Sequence, residues 1–303
     1  MTPTPPPNTP TEHTELAPAK LNLGLKVLGE RADGFHEICS VMQTVDLVDR
    51  LSFQRHPVLS MSCTDPTLST GPGNLVMRAG RLFEERARAL GFPCDPFHIH
   101  LEKQIPMGAG LGGGSADCAA VLRGLNLLSG SPFDDSALHD LGAELGSDVP
   151  FLLKGGTALV RGRGEIVDPL EWRGPDFYYV LVSPEVEIST AWAYGQLQSA
   201  LTVPSSYLNL VGSISGGHVD STKLLEVLEN DFQSGVGRAN PIVAQAVDQI
   251  RQTGPRACSM SGTGSTAYGV YDDRNVASGA AAQIQANGFR SFFCRPFFVG
   301  LGK

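Results

Sequence analysis

From Leu16 onward, apolar and polar residues alternate in ways that predict the backbone. "AKLNLGLKVLG" has the period of a strand. A turn at Asp33-Gly34 then leads into a second strand through "HEICSVMQTVDL". "DRLSFQRH" and "VLSMSC" predict two more short strands. "GPGNLVMRAGRLFEERARAL" predicts a helix capped by Asn74 and stopped by Gly91. A strand in "PFHIHLEKQI" ends at Pro106, a glycine-rich loop follows, and "SADCAAVLRGLNLLSG" is the next helix. Another helix, "DDSALHDLGAEL", stops at Gly146, and "GSDVPFLLKGGTALVRGRGE" is a loop with room for a helical turn that runs into strands.

The second half opens near Asp168 with a strand in "DFYYVLVSP". "ISTAWAYGQL" begins a helix capped by Ser189 or Thr190, and "STKLLEVLENDF" is another. "NPIVAQAVDQIRQTG" is a helix with Asn240 as N-cap, Pro241 at the first helical position and Gly254 past the end. "ACSMSGTGSTAYGVY" reads strand, turn, strand; "VASGAAAQIQANG" is a helix and "FRSFFCRPFF" a closing strand. The strict βαβ rhythm of a parallel sheet is missing, so the pattern predicts an α+β fold of two domains. The expected division is a disordered tail over 1–15, an N-terminal ATP-binding domain over 16–165 and a C-terminal substrate-side domain over 166–303.

Composition narrows the function. The 303 residues carry 23 basic and 31 acidic side chains, a net charge of −8, and 42% hydrophobic residues. No Lys/Arg cluster stands out, so a nucleic-acid binder is not expected. The Pro- and Thr-rich start has no apolar core and no Lys or Arg, unlike a signal or transit peptide. It has too little apolar surface to order itself. No apolar run is long enough to span a membrane. The six cysteines form no CxxC pair and read as reduced thiols, which suits a cytoplasmic protein. His98 and His100 share one strand face, but no ligand set surrounds them, so a plain strand is favoured over a metal pair.

"PMGAGLGGGSAD", residues 106–117, carries the chemistry. Glycines before a helix let backbone N–H groups approach a phosphate, and the helix N-terminus supplies free donors and partial positive charge. A Walker A loop is excluded because Gly114 stands where its lysine must be. The spacing of Gly108, Gly110 and Gly113 matches the dinucleotide fingerprint, but the strand required after the helix is missing, and Asp134 and Asp135, at about the distance of its acid, look like the start of the next helix. A loop wrapping a triphosphate remains, with Ser115 able to cap the helix and to reach a phosphate oxygen or metal.

The same stretch resembles the central motif of the GHMP kinases, the superfamily of galactokinase, homoserine kinase, mevalonate kinase and phosphomevalonate kinase. "MSGTGSTAYG" (260–269) resembles its third motif. "PAKLNLGLKVLGERADGFHE" (18–37) and "LGSDVPFLL" (145–153) resemble one branch, the 4-diphosphocytidyl-2-C-methyl-D-erythritol kinases of the non-mevalonate isoprenoid pathway. The resemblance runs in order from Ala17 to the end. It implies a two-domain fold with the active site in the cleft between domains, and ATP-dependent phosphorylation of a tertiary C2 hydroxyl. A hindered, weakly acidic alcohol needs a base beside it and stabilisation of charge on the phosphoryl group.

The resemblance makes Asp148 the base and Lys20 its partner. By its residues alone Asp148 equally suits an N-cap, and Lys20 an edge-strand lysine facing solvent. Whether Lys20 would act on Asp148, the hydroxyl or the phosphoryl is left open. The resemblance also implies that Asn22 binds the diol, that Phe35 and His36 grip cytosine, and that Thr190 and Tyr194 add a hydroxyl and a second ring. Phe35 replaces the family's usual Tyr, which keeps the ring face and loses a hydroxyl contact. Pro106, Met107, Gly108, Ala109, Gly110, Leu111, Gly112, Gly113, Gly114, Ser115 and Ala116 would hold the phosphates. Asn74 and Lys103 would lie near adenine, although a helix cap and a solvated strand lysine explain them too. Ala116 stands where the family often has a second serine. Gly262, Thr263 and Gly264 would approach the phosphates from the substrate side. Mg²⁺ is expected with ATP, its protein ligands unknown. The rival readings are a sister kinase for homoserine, mevalonate or a sugar, and a non-catalytic nucleotide sensor on the same fold.

Overall fold

The alternation of the opening segment becomes one long strand, β1 (Glu12–Glu30). It starts at Glu12, ahead of the expected Leu16. Glu15 pairs with His13 at 2.7 Å and with the Arg123 guanidinium at 3.0 Å, and Arg123 also donates to Leu16 O at 2.8 Å. These polar anchors hold a segment that has little apolar surface of its own. The computed structural model describes residues 12–92, 94–174, 176–197, 205–214 and 216–299. The tail expected over 1–15 falls outside them up to residue 11.

After a turn at residues 31–35 comes β2 (His36–Arg55). "DRLSFQRH", expected as a separate strand, is the end of β2. Asp49 looks like a turn residue but is buried, and its carboxylate accepts N–H groups from Gln104 (2.5 Å) and Ile105 (2.9 Å). With its charge satisfied inside, the backbone stays extended. β3 (Ser60–Cys63), α1 (Leu75–Ala89) and β4 (Phe97–Glu102) follow. β4 ends at Glu102 because the N–H groups that follow turn to side chains: Lys103 N–H donates to Thr64 Oγ1 at 2.9 Å, and those of Gln104 and Ile105 go to Asp49. Then come α2 (Gly113–Leu128), α3 (Asp135–Leu145), α4 (Val149–Lys154), β5 (Thr157–Gly162), β6 (Ile166–Pro169) and β7 (Glu171–Arg173). The chain continues through β8 (Tyr178–Ser183), α5 (Thr190–Gly195), α6 (Ser206–Gly212), β9 (His218–Asp220) and α7 (Ser221–Glu226). It closes with α8 (Gln233–Ala239), α9 (Pro241–Gln252), β10 (Ala257–Met260), β11 (Ala267–Tyr271), α10 (Arg274–Ala286) and β12 (Arg290–Cys294). α7 is shorter than expected because the next residues bond to β1: Leu25 N–H donates to Glu229 O at 2.7 Å and Asp231 N–H to Leu25 O at 3.1 Å.

The chain forms two compact units: residues up to Ala19 with Val48–Ile105 and Gly112–Lys154, and Lys20–Leu47 with Pro106–Leu111 and Gly155 onward. In the first, the end of β2 pairs antiparallel with β4, and β3 runs parallel to β4. α1, α3 and α4 pack on α2, whose buried face includes Cys118, Val121, Leu122 and Leu125. His98 and His100 share a face and bond to Ser60 and Ser62 at 2.8–2.9 Å, as a plain strand allows. In the second unit, β2 from Ile38 to Gln43 pairs with β5, and β5 with β6. A separate antiparallel sheet runs β10-β11-β8-β12. It buries Val180, Val182, Ala267 and Tyr271 against Ile250 of α9 and Ala277 and Ile284 of α10. β7 and β9 form a small parallel pair. Among the described residues no helix is long and apolar enough to cross a membrane.

Candidate active site

In the first unit, β4 leads to the glycine-rich loop and the loop to α2. Helix α2 starts at Gly113, with the left-handed Gly112 as N-cap and no side-chain cap. Ser115 is therefore not the cap that the sequence suggested. Gly112 takes the boundary: glycine is an accepted N-cap, and it alone holds φ +69° without strain. Ser115 lies in the first turn instead. The first helical bond is from Ala116 N–H to Gly112 O at 2.8 Å. The N–H groups of Gly113, Gly114 and Ser115 precede it and point out of the helix start. Gly114 is exposed. This is a cradle for an anion, and the helix dipole adds to it.

Asp148 lies two residues after Gly146, half-buried, immediately before α4. Its carbonyl accepts Leu152 N–H at 3.1 Å. A Cβ on Gly146 would lie 3.8 Å from Ser115 Oγ, so the Asp148 turn neighbours the start of α2. Asn74 caps α1: its Oδ1 accepts Val76 N–H at 2.8 Å and its Nδ2 donates to Ser69 O at 2.7 Å. The adjoining Leu75 lies against Gly114, 3.2 Å from a Cβ built there.

Lys103 is no solvated lysine. Its ammonium is buried between Asp49 and Asp117 and bonds to both, with Asp117 at 2.8 Å. A Cβ on Gly113 would come within 3.1 Å of that ammonium, so this charge cluster underlies the start of α2. Burial works to lower the Lys103 pKa, but Asp117 and Asp49 outweigh it and raise the value above that of a free lysine. Burial pushes the Asp117 carboxyl up to about 7, with Asp49 adding to the rise and Lys103 opposing it. One oxygen of Asp117, Oδ1, has no hydrogen-bond partner among the described residues.

In the second unit, Lys20 and Asn22 share a face of β1 as the alternation required, but that face is interior: they are 4% and 1% exposed. The solvent-facing edge reading of Lys20 is thereby excluded. Its ammonium donates to Asn22 Oδ1 at 2.6 Å and to Gly110 O at 3.0 Å. The glycine-rich loop from 106 to 111 is clamped to the turn between β10 and β11. Ser261 Oγ donates to Gly110 O at 2.9 Å and Thr266 N–H to Ala109 O at 3.0 Å. Gly110 has φ +77°, and a Cβ there would meet Ser261 O at 2.2 Å, so the approach needs glycine. Gly262 faces the same place, 3.2 Å from Lys20 Nζ measured from a built Cβ.

Three rings of the second unit meet in series. The His36 and Tyr194 rings lie 4.5 Å apart at 34°, and Phe232 meets Tyr194 edge-on at 4.8 Å. Phe35, 47% exposed, has the Arg163 guanidinium 5.0 Å from its ring centroid. Ser189 caps α5 by accepting Trp192 N–H at 3.4 Å, which leaves Thr190 exposed in the first turn, one turn from Tyr194.

Residues 74–156 match the GHMP kinases N terminal domain, and residues 220–289 the GHMP kinases C terminal domain. A 4-diphosphocytidyl-2-C-methyl-D-erythritol kinase of Synechococcus sp. (strain CC9605) is 39% identical over 299 residues, 93% of this chain and 96% of the relative. That of Geobacter sp. (strain M21) is 37% identical over 278 residues, 89% and 93% of the two chains. The chain belongs to the 4-diphosphocytidyl-2-C-methyl-D-erythritol kinases. A crystal structure of a 4-(cytidine 5'-diphospho)-2C-methyl-D-erythritol kinase superposes with a TM-score of 0.75 at 31% identity, covering 93% of this chain and 98% of that one. A homoserine kinase from Cytophaga hutchinsonii shares the fold, with a TM-score of 0.71 at 19% identity over 96% of each chain.

As a member of this kinase family the chain is an ATP-dependent phosphotransferase with a two-domain α+β GHMP fold. The start of α2 suits a triphosphate: the N–H groups of Gly113, Gly114 and Ser115 lie ahead of the first helical bond, and Gly113 and Gly114 carry no side chain of their own. Sequence reasoning missed Asp49, Asp117, Ser40, Tyr207 and Arg163. Each reads locally as an ordinary strand, helix or loop residue. Only the lone acid in the apolar "ADCAAVL" carried a signal that could have drawn attention to Asp117.

Proposed function

We propose that the chain transfers the γ-phosphoryl group of ATP to the C2 hydroxyl of 4-diphosphocytidyl-2-C-methyl-D-erythritol. The observation that carries the choice of substrate is the ring pair of His36 and Tyr194 with the exposed Phe35 beside Arg163. A flat base stacks on such rings at a gain of about 0.5–1.5 kcal/mol each, and an imidazole supplies an edge contact. Homoserine, mevalonate and galactose have no base to place there.

In the proposed step Asp148 takes the proton of the C2 hydroxyl. The C2 oxygen bonds to the γ-phosphorus as the bond from that phosphorus to the β–γ bridging oxygen breaks, and ADP leaves. The N–H groups at the start of α2 hold the phosphates, and Lys20 meets the charge on the phosphoryl group. Thr190 adds a hydroxyl on the substrate side. Asn74 and Lys103 stand toward the nucleotide: Asn74 sets the start of α1, and Lys103 acts from beneath α2. Mg²⁺ belongs to the proposal as the counter-ion of the triphosphate. Among the described residues no three His, Cys, Asp or Glu converge on a metal site. Mg²⁺ beside a triphosphate takes most of its ligands from phosphate oxygens and water, and the Ser115 hydroxyl in the first turn of α2 would be a candidate protein ligand. The six free cysteines support a reducing, cytoplasmic setting for the reaction.

The test is ADP release with Mg-ATP and the cytidyl substrate, beside mevalonate, homoserine and galactose. Release with the cytidyl substrate alone, inhibited by CMP or CDP, is the expected result. Release with another alcohol and no inhibition by CMP would favour the sister kinase.

A further inference from the structure

Lys20 is held by Asn22, and Asn22 is held in turn. Its Nδ2 donates to Ser40 Oγ at 2.9 Å, its backbone N–H to Ser261 Oγ at 3.3 Å, and its carbonyl accepts Tyr268 OH at 2.8 Å. Ser40 is fully buried and donates to Gly24 O at 2.7 Å. Tyr207, also fully buried, accepts Val41 N–H at 2.6 Å and donates to the same Gly24 O at 3.2 Å. Tyr207 comes from α6, which is anchored by its cap: Ser205 Oγ accepts Leu208 N–H at 3.1 Å and donates to Glu229 at 2.9 Å. Gly24 has φ +93°, and a Cβ there would lie 2.0 Å from Tyr207 Cε2. Only glycine lets the ring in.

The direction of each bond follows from chemistry. An ammonium only donates, so the Asn22 amide must turn its oxygen to Lys20 and its NH₂ to Ser40. Ser40 accepts that bond and therefore donates onward to Gly24 O. Tyr207 accepts from Val41 N–H and so donates to the same carbonyl. No member of the chain can be reversed without leaving a buried donor facing a donor, which costs about 1–3 kcal/mol. Asn22, at 1% exposed, is held on both sides of its amide by this chain of bonds.

We infer that Ser40 and Tyr207 are positioning residues: through Gly24 and Asn22 they fix the direction in which the Lys20 ammonium points during phosphoryl transfer. The inference rests on the role proposed above for Lys20. Transferring groups are sensitive to placement, and a misplacement of about 1 Å can lower a rate about 10²-fold. Ground-state binding is less sensitive, so loss of the relay should appear in kcat.

The experiment compares wild type, Ser40→Ala, Ser40→Thr and Tyr207→Phe, by steady-state kinetics with Mg-ATP and the cytidyl substrate and by urea unfolding. Wild-type turnover is the control on the reading itself; without it the proposed function fails, whatever the variants do. With it, Ser40→Ala is expected to lower kcat about 10- to 10²-fold, with both KM values within about threefold. Ser40→Thr, which keeps the hydroxyl, should recover kcat to within about threefold of wild type. A Ser40→Ala enzyme with wild-type kcat, a change confined to KM, or a Ser40→Thr enzyme as slow as Ser40→Ala overturns the inference. Should Ser40→Ala fail to fold, Tyr207→Phe decides by the same split between kcat and KM.

Discussion

Asp148 and Phe35 separate chemistry from recognition. In Asp148→Asn the side chain keeps its size ahead of α4, but the amide cannot take a proton. Turnover should fall about 10²-fold or more, the usual worth of a positioned base, while ATP affinity by titration stays within about twofold. Near-normal turnover would return Asp148 to its alternative as a helix start. Phe35→Ala removes one exposed ring together with its contact to the Arg163 guanidinium. The expected result is a KM for the cytidyl substrate raised about tenfold at unchanged kcat. A fall in kcat with unchanged KM would assign the ring elsewhere. Residues of this kind were legible because they break a local rule: Lys20 in an apolar strand, glycines massed before a helix. Ser40, Tyr207 and Asp49 break none. Their meaning lies in partners far along the chain, such as Tyr207 with Val41 N–H, and no periodicity records those.

Among the elements, α2 rests on the buried group of Lys103, Asp49 and Asp117, whose one ammonium serves two carboxylates. Lys103→Met should destabilise the protein by about 3–5 kcal/mol in urea unfolding, since two buried carboxylates lose their counter-ion. Asp117 gives the cluster a pH signature. Its pKa is raised by burial to about 7 in the folded chain, above the 3.8 of a free carboxyl. The folded state therefore holds a proton that the unfolded state has released across that window. Stability from this group is present at low pH and is lost as pH rises toward and past 7. Measured by urea unfolding at pH 5 and pH 8, wild type should lose stability relative to Asp117→Asn; an equal or opposite trend rejects the assignment. Most of the helices, and the strands β8, β10, β11 and β12, were legible from caps and periods, as at Asn74 and Pro241; the short α6, α8, β7 and β9 carried no such signal. The joints were less so. Gly112 hid the true start of α2 within a glycine run, and Asp49 made one strand read as two.

For the molecule as a whole, the decisive feature is that each compact unit is assembled from three separated stretches of chain. β2 is hydrogen-bonded from Ile38 to Gln43 with β5 in one unit and from Arg50 to Arg55 with β4 in the other. The chain passes from one unit to the other inside this strand rather than through a loop, so the expected outcome is a single unfolding transition. The cysteines report on it, since all six are free. Burial pushes the Cys118 thiol of the first unit up to about 12 and the Cys39 thiol of the second up to about 11, and also raises Cys294. A protonated, buried thiol is inert until the chain opens. In a urea series with a thiol reagent at pH 8, Cys118 and Cys39 should become reactive at one midpoint, the same as that of the loss of circular dichroism. If Cys118 labels at a lower urea concentration than Cys39, the first unit opens alone and the shared strand does not couple the two.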